Sequence, residues 1–518
     1  MAEQDTLRLG IDVGGTNTDA VIVDADGKVV AKTKIPTTPD VTRGISEAIG
    51  VVLDAVDDKT RISRVMLGTT HATNAVIERR GLGRVACIRV GGPATHSIPP
   101  LAMWPDDLRS TVSVAETIID GGAEFDGRDQ VPLDEAALLA FLDGLDETPD
   151  SYAVTSVFAP VADIHERRVV ELIREKMGAS VTISASSHIG SLGLLERENA
   201  TVLNSALTNV AHQIIDGLRN ACAEHGLEAR QLFAQNDGSL MSVDQVLAQP
   251  VLTIGSGPAN SLRGASALSG LTDAIVVDVG GTSTDVAVIA NGFPRESTVP
   301  VEIGGVETNF RMPDLLAIGL GGGSRVREGE GSVRVGPDSV GYRLDREALV
   351  FGGHTATFSD AAVRSGRAGF GSVAADGLSR DVATRALALA DEMVADAIDR
   401  MKLSPEPIPV VLVGGGSVLL SDSISGASKV IRPEDADVAN AIGAALAPIS
   451  AQIDELFEVG VDGREAAVEA AKQKVMDLTV AQGADPEDVH VVAVEEMTLA
   501  YMKGDHLRIR AKAAGRLD

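Results

Sequence analysis

Residues 11–23 read IDVGGTNTDAVIV and residues 277–289 read VDVGGTSTDVAVI. Seven of the thirteen positions are identical, and every replacement except Asn17/Ser283 exchanges one apolar residue for another. Each copy is an apolar run that closes on an aspartate, turns through Gly-Gly-Thr and enters a second apolar run. That pattern predicts a β-hairpin with the glycines placed where a positive φ is needed. Two copies about half a chain apart are too widely spaced for a solenoid. They predict two related α/β lobes facing one another.

Working outward from the first hairpin, a third strand near 29–34 ends at the Pro36 and Pro39 turn signals. A helix-period segment follows over 41–56, and a short strand at 64–67 leads into GTTHATNAV, then a further helix and strand. The reading for roughly the first ninety residues is β-β-β-α-β-α-β, one mixed sheet with helices packed on it. Residues 151–184 add a strand, a helix and a strand, and SSHIGSLGLLERENATVLNSAL (186–207) reads as the crossing into the second lobe. Beyond the second hairpin come glycine-dense stretches over 304–341, a long helix at about 380–402, the strand PVVLVGGG and the Ala-rich helix ADVANAIGAALA. From about 451 the composition changes to a charged helix and alternating segments, a small antiparallel unit. The expected domains are therefore 1–185, 186–450 and 451–518.

The charge balance narrows the partners. The chain of 518 residues carries 45 Lys plus Arg against 74 Asp plus Glu, a formal charge of −29. Such a surface repels a phosphate backbone, which argues against nucleic acid or an anionic membrane and leaves room only for a local basic pocket holding a small phosphate. Two cysteines, Cys87 and Cys222, form neither a disulfide framework nor a CxxC motif. The opening MAEQDTLRLG is polar, and no apolar run approaches the ~18 residues of a membrane span. A cytoplasmic protein is expected.

The chemistry is expected at the two turns. Backbone N–H groups of Gly14, Gly15, Gly280 and Gly281 can approach phosphate oxygens. Asn17 and the hydroxyls of Thr16, Thr18, Thr282, Ser283 and Thr284 can add hydrogen bonds. Asp12 and Asp278 close the preceding strands, where a carboxylate can hold Mg²⁺ through water. Asp19 and Asp285 repeat seven residues later. Gly414, Gly415 and Gly416, after an apolar strand, suit either the close approach of an adenine or ribose or tight helix–strand packing. Small residues at 72–79 and 436–446 predict two helices crossing closely as a hinge. His71, His96, His165, His188 and His354 lack metal-ligand spacing, so no dedicated transition-metal site is expected. His71 reads as a structural cap or a cleft residue. Glu166–Arg168 reads as a solvated helix face, Glu196 and Arg197 as an interlobe ion pair or a substrate contact, and Trp104 as part of a packed loop.

The motifs IDVGGTNTD, GTTHATNAV, VDVGGTSTD, VLVGGG and ADVANAIGAAL follow the order phosphate 1, connect 1, phosphate 2, adenosine and connect 2. In this the chain resembles the actin, sugar kinase and Hsp70 ATPase superfamily. More closely it resembles the hydantoinase/oxoprolinase family of the A-subunit type. The residues that carry this are ERENATVLNSAL (196–207), TIGSGPANSLRGA (253–265), AIGLGGGSRV (317–326), VGPDSVG (335–341) and TFSDAAVRSGR (357–367). The resemblance implies two duplicated actin-like (RNase H-like) lobes with an interlobe ATP cleft and a small C-terminal α+β unit. It implies ATP and Mg²⁺ as cofactors, with Asp12 and Asp278 organising the ion and Asp19 or Asp285 orienting the nucleophile. The implied activity is phosphorylation of the amide oxygen of a cyclic amide, such as a hydantoin, 5-oxoproline or another lactam, ahead of ring opening. A B-type or other partner subunit is implied, and a homo-oligomer is compatible. Segment 89–110, RVGGPATHSIPPLAMWPDDLRS, departs from the family's usual pattern, so a different substrate pocket is expected; the C-terminal region is shorter than usual, which bears on ring opening and leaves ATP binding untouched. Three rival readings share the same nucleotide motifs: a small-molecule kinase, a ketone carboxylase subunit and a non-catalytic ATP-binding regulatory subunit.

Overall fold

Both hairpins form. In the computed structural model, which describes residues 6–37, 41–297, 299–310, 312–329, 332–459, 463–498 and 506–517, Leu7–Val13 pairs antiparallel with Asn17–Val23 and sets Asp12 opposite Asp19. Ala274–Val279 pairs with Thr284–Ala290 and sets Asp278 opposite Asp285. The first strand of each hairpin gains a parallel neighbour, Ile62–Thr69 in one case and Ile408–Val413 in the other. Strands flanked on both sides and covered on both faces are buried along nearly their whole length rather than at alternate positions, as Leu7–Val13 and Ala274–Val279 are. The result is the duplicated, actin-like pair of α/β lobes, built on a nine-stranded and a six-stranded sheet.

The turn glycines do not adopt the expected positive φ; Gly14, Gly15, Gly280 and Gly281 all lie outside that region. Each turn is closed instead by a backbone bond, Gly14 N–H to the Asn17 carbonyl at 3.0 Å and Gly280 N–H to the Ser283 carbonyl at 2.9 Å. What glycine supplies is space, since a Cβ added at Gly15 or Gly281 would meet nothing within 4 Å.

Sheet pairing also runs across the boundaries expected at 185/186 and 450/451. Strand Val85–Gly92 leaves the first sheet and centres a separate four-stranded parallel sheet with Ser113–Asp120, Ser151–Ser156 and Thr182–Ala185. The nine-stranded sheet is extended by Arg230–Ala234 and Leu240–Ser242, and then by Ile449–Glu458, His506–Gly515 and His490–Thr498. A sheet edge is satisfied by whichever strand reaches it, however distant in sequence, and the small C-terminal α+β unit completes the first lobe's sheet in this way. The Pro39 turn and residues 499–505 lie outside the described residues.

Segment 186–207 is not the interlobe crossing. Its helix, Leu194–Ala206, is packed into the first lobe, where Glu198 forms a bidentate pair with Arg89 (both N–O distances 2.6 Å) and Asn199 accepts from the Trp104 indole N–H at 2.7 Å. Glu166 is likewise wholly buried rather than solvated. Its carboxylate accepts from the backbone N–H groups of Ser156, Ser186 and Ser187 and from the Ser186 hydroxyl. Arg197 donates to the carbonyls of Ser156 and Ser191 and to the Ser186 hydroxyl. The close crossing is made by Ser256–Ser269 against Ala439–Leu446, whereas His71–Glu78 packs beside Thr208–Glu224. Gly264 and Gly443 permit it, because a Cβ at either would overlap the backbone carbonyl of Ala439 or of Asn260. Among the described residues no helix is long and apolar enough to cross a membrane.

Candidate functional site

The crossing helix Ser256–Ser269 joins the two hairpins chemically as well as sterically. Its Asn260 amide donates to Asp12 Oδ1 at 3.2 Å, and the Asn440 amide, from the partner helix, donates to Asp12 Oδ2 at 3.4 Å. The next residue, Ser261, places its hydroxyl beside Asp278. Two carboxylates 266 positions apart (278 minus 12) are thus brought beside consecutive residues of one helix, Asn260 bonded to the first and Ser261 adjacent to the second.

Asp12 is 4% exposed. Burial raises its pKa, the Asn260 and Asn440 amides and Lys34 oppose the rise, and the charge of Asp278 adds to it. Burial raises Asp278 as well, against the Ser261 hydroxyl and Lys34. The two outer carboxylates differ from each other. Asp19 receives both hydrogen bonds of Lys34 at 2.6 Å, with Lys34 directly opposite it in register. Burial still pushes Asp19 up to about 7. Asp285 is also pushed up to about 7, by burial and then by Asp278, yet nothing among the described residues donates a hydrogen bond to its side chain. Asp278, Asp285 and Ser261 line a cavity of about 10 Å³, room for roughly one water.

The remaining predicted residues divide by what their side chains do. At the turns Thr282 and Ser283 are exposed, and Thr16 and Asn17 are half-buried. Thr18 and Thr284 are buried and turned into the protein, Thr18 toward the Thr37 hydroxyl at 3.3 Å and Thr284 donating to the Leu320 carbonyl at 2.6 Å. Gly414–Gly416 follows Val413, which pairs with Asp278, and a Cβ at Gly414 would strike the Asp278 carboxylate; Gly415 faces open space. His71, the first residue of the helix His71–Glu78, bonds through Nδ1 to the Oγ1 of Thr69 at the end of the preceding strand at 2.6 Å, with burial lowering its pKa. Among the described residues no cluster of three or more His, Cys, Asp or Glu could hold a metal ion by itself.

Sequence reasoning missed several participants. Lys34 is recoverable from hairpin register, since the strand after Asn17–Val23 must bring a residue opposite Asp19. Asn260 and Ser261 sit in a quoted motif, but only the fold brings them to the aspartates. Gly322 and Gly323 donate to the Gly280 and Gly281 carbonyls at 3.0 and 2.7 Å, bracing the second turn, while the Thr37 hydroxyl braces the first through the Gly14 carbonyl at 2.8 Å. The glycine run 321–323 was the available signal.

The family model of the hydantoinase/oxoprolinase N-terminal region matches residues 8–177, and the hydantoinase/oxoprolinase model matches residues 197–371. The chain belongs to the hydantoinase/oxoprolinase family. Within that family it is similar to caprolactamase subunit alpha of Pseudomonas jessenii, 29% identical over 388 residues, which is 68% of this chain and 53% of the relative. It is 27% identical to the acetophenone carboxylase gamma subunit of Aromatoleum aromaticum, over 70% of this chain and 54% of the relative. It is 28% identical to 5-oxoprolinase 1 of Arabidopsis thaliana, over 65% of this chain and 29% of the relative. The chain therefore spans about half, or less, of the length of these relatives. The solved ATP-dependent caprolactamase from Pseudomonas jessenii shares the fold with a TM-score of 0.78 at 21% identity, covering 99% of this chain and 88% of that one. A nucleotide-free acetone carboxylase structure shares it with a TM-score of 0.67 at 19% identity, over 99% and 88%.

Proposed function

We propose that this hydantoinase/oxoprolinase-family chain is an ATP-dependent subunit that activates a cyclic amide for ring opening. The observation that carries the reading is the convergence of Asp12 and Asp278, from two duplicated hairpins, on adjacent residues of one crossing helix. The donor set suits Mg²⁺: hard carboxylate oxygens, partly buried, in a number that leaves the other positions of an octahedral shell to water and phosphate. The open turns at Gly15 and Gly281 would admit phosphate oxygens to backbone N–H groups. Bound there, the nucleotide would supply a phosphoryl group to the amide oxygen, making that oxygen a leaving group.

The chain's own side chains divide the remaining work. Asn260, Asn440 and Ser261 would hold the two inner carboxylates as the lobes close. Lys34 engages both carboxylate oxygens of Asp19 and so occupies that side chain in the first turn. That leaves Asp285, without a donor and close to half-protonated near neutrality, to accept a proton from the attacking water or hydroxyl. Asp285 rather than Asp19 is therefore assigned to orient the nucleophile.

The test is ADP release by the chain, with and without co-purifying subunits, across a panel of lactams and hydantoins, with product identification. Stimulation by one cyclic amide with a ring-opened product is expected, and Asp278→Ala should abolish it. Full ATP turnover in Asp278→Ala would remove the assignment. Similarity to the acetophenone carboxylase gamma subunit supports a second reading, ATP-driven carboxylation by an assembly of subunits; a product that appears only with bicarbonate would favour it.

A further inference from the structure

The second lobe lends part of its chain to the first. Strand Thr284–Ala290, which carries Asp285, pairs with Phe293–Pro294 and again with Leu315–Ile318, where Asp285 stands opposite Ala317. Between those two partners the chain leaves the lobe. The Arg295–Asp314 ion pair, at 2.5 Å, closes the base of this excursion, and the Asp314 N–H donates to the Arg295 carbonyl at 2.8 Å. At its far end is the hairpin of Val301–Ile303 and Val306–Thr308. Ile303, Val306 and Phe310 are buried there in the same apolar cluster as Trp104, Leu108 and Leu203 of the first lobe. The excursion is therefore a strap, rooted beside the Asp285 strand in one lobe and seated in the core of the other.

The tip of the strap is tied to one short stretch of the first lobe, residues 104–107, at three points. The Gly304 carbonyl accepts from Arg79 Nη2 at 2.9 Å, and the same guanidinium donates through Nε to Asp107 at 3.0 Å. A Cβ at Gly305 would lie only 2.7 Å from Pro105 Cγ, so backbone and ring are in close contact there. The Glu307 carbonyl accepts from the Asn199 amide at 2.8 Å, while the Asn199 oxygen accepts the Trp104 indole N–H at 2.7 Å. Arg79 also donates to the Val76 carbonyl at the end of its own helix, His71–Glu78. That helix starts beside the first turn, where the Thr70 N–H donates to the Val13 carbonyl at 3.1 Å. Residues 104–107 belong to segment 89–110, the stretch whose sequence points to a different substrate pocket.

We propose that the strap is a conformational relay: a nucleotide held between the two turns sets the spacing of the lobes, and the strap carries that spacing to residues 104–107. The inference rests on the reading of the Asp12–Asp278 cleft as a nucleotide site. Two lobes tied at two places, the helix crossing and the strap, cannot change their spacing without moving or straining one of the ties. Packed cores answer such a load by shifting between discrete arrangements rather than by stretching. Arg79 and Asn199 are positioning residues in this relay, each holding the strap with one group and the segment with another.

Trp104 is the single tryptophan of the chain and is 5% exposed, so its emission reports on this segment. The full chain is titrated with Mg-ATP and with its non-hydrolysable analogue Mg-AMPPNP, following Trp104 emission and, in parallel, the heat of binding. A saturable change in emission is expected, with the same midpoint as the heat. Asp314→Asn, at the base of the strap, and Arg79→Gln, at its tip, should each still bind nucleotide and lose most of the emission change. Arg79→Lys, which keeps a donor for the Gly304 carbonyl, should retain part of it. The Asp314 side chain is 40% exposed, so Asp314→Asn remains usable if Arg79→Gln fails to fold. Heat of binding with flat Trp104 emission, or a full emission change in either folded variant, would overturn the relay and leave the nucleotide reading standing. No heat of binding in the parent would overturn the nucleotide reading and the relay with it.

Discussion

Replacing Asp285 by asparagine should stabilise the protein at alkaline pH while removing the activity proposed for the cleft. The carboxyl is partly buried opposite Asp278, receives no hydrogen bond among the described residues, and is raised from 3.8 to about 7. A carboxyl raised in the folded state holds a proton that the unfolded chain has released, so its contribution is fully present below about pH 3.8 and is lost as pH climbs toward 7. A difference of about 3 pH units at about 1.4 kcal/mol each sets a ceiling of roughly 4 kcal/mol. Solvent reaches part of the side chain, which reduces the expected effect to about 1–3 kcal/mol. Asparagine has the same shape and no charge to lose. Urea unfolding of parent and Asp285→Asn at about pH 5 and about pH 8 should show the variant's advantage growing between them. A stability difference that is the same at both values, or that favours the parent at the higher one, would refute the assignment of a strained, unpartnered carboxylate. A gain in stability with loss of turnover is the pattern expected where a charge is kept for chemistry rather than for folding.

Other substitutions separate space, packing and charge. Gly281→Ala should leave the melting temperature within about 2 °C of the parent, because its Cβ meets nothing within 4 Å and no unusual φ is lost, yet it should weaken nucleotide binding measured by titration. Gly443→Ala should cost about 3 kcal/mol or more, or prevent folding, since its Cβ overlaps the Asn260 carbonyl; thermal melting distinguishes the two glycines directly. Lys34→Met should destabilise by about 3 kcal/mol above neutral pH and by less in acid, because Lys34 opposes the upward shifts at Asp12, Asp19 and Asp278. Denaturation at two pH values measures that difference.

The duplicated hairpins were legible because everything that makes them is local: two apolar runs, an aspartate at a fixed offset and a short turn. The pairing of Asp12 with Asp19 and of Asp278 with Asp285 follows from register alone, and Lys34 could have been placed by the same reasoning. The reason for the turn glycines was not legible. Composition says that glycine permits positive φ, whereas the folded turns use it to leave open space. Polar sequence was equally ambiguous at Glu166, read as part of a solvated face, and at Arg197, read as an interlobe ion pair or a substrate contact; both are buried in hydrogen-bonded networks of the first lobe.

What the sequence determined by itself is the pair of α/β lobes, the inner and outer carboxylates and the family. What only the tertiary structure decided is which helix crosses between the lobes, that Asn260 and Ser261 meet Asp12 and Asp278, and that, among the described residues, Asp19 has a cation while Asp285 has none. It also decided that the last strands extend the first sheet and that a hairpin from the second lobe is seated in the core of the first. The division has a physical cause. Hairpin geometry is set by neighbours in the chain, while helix crossings, sheet edges and burial are set by residues hundreds of positions apart competing for the same surface, and no local pattern encodes the outcome.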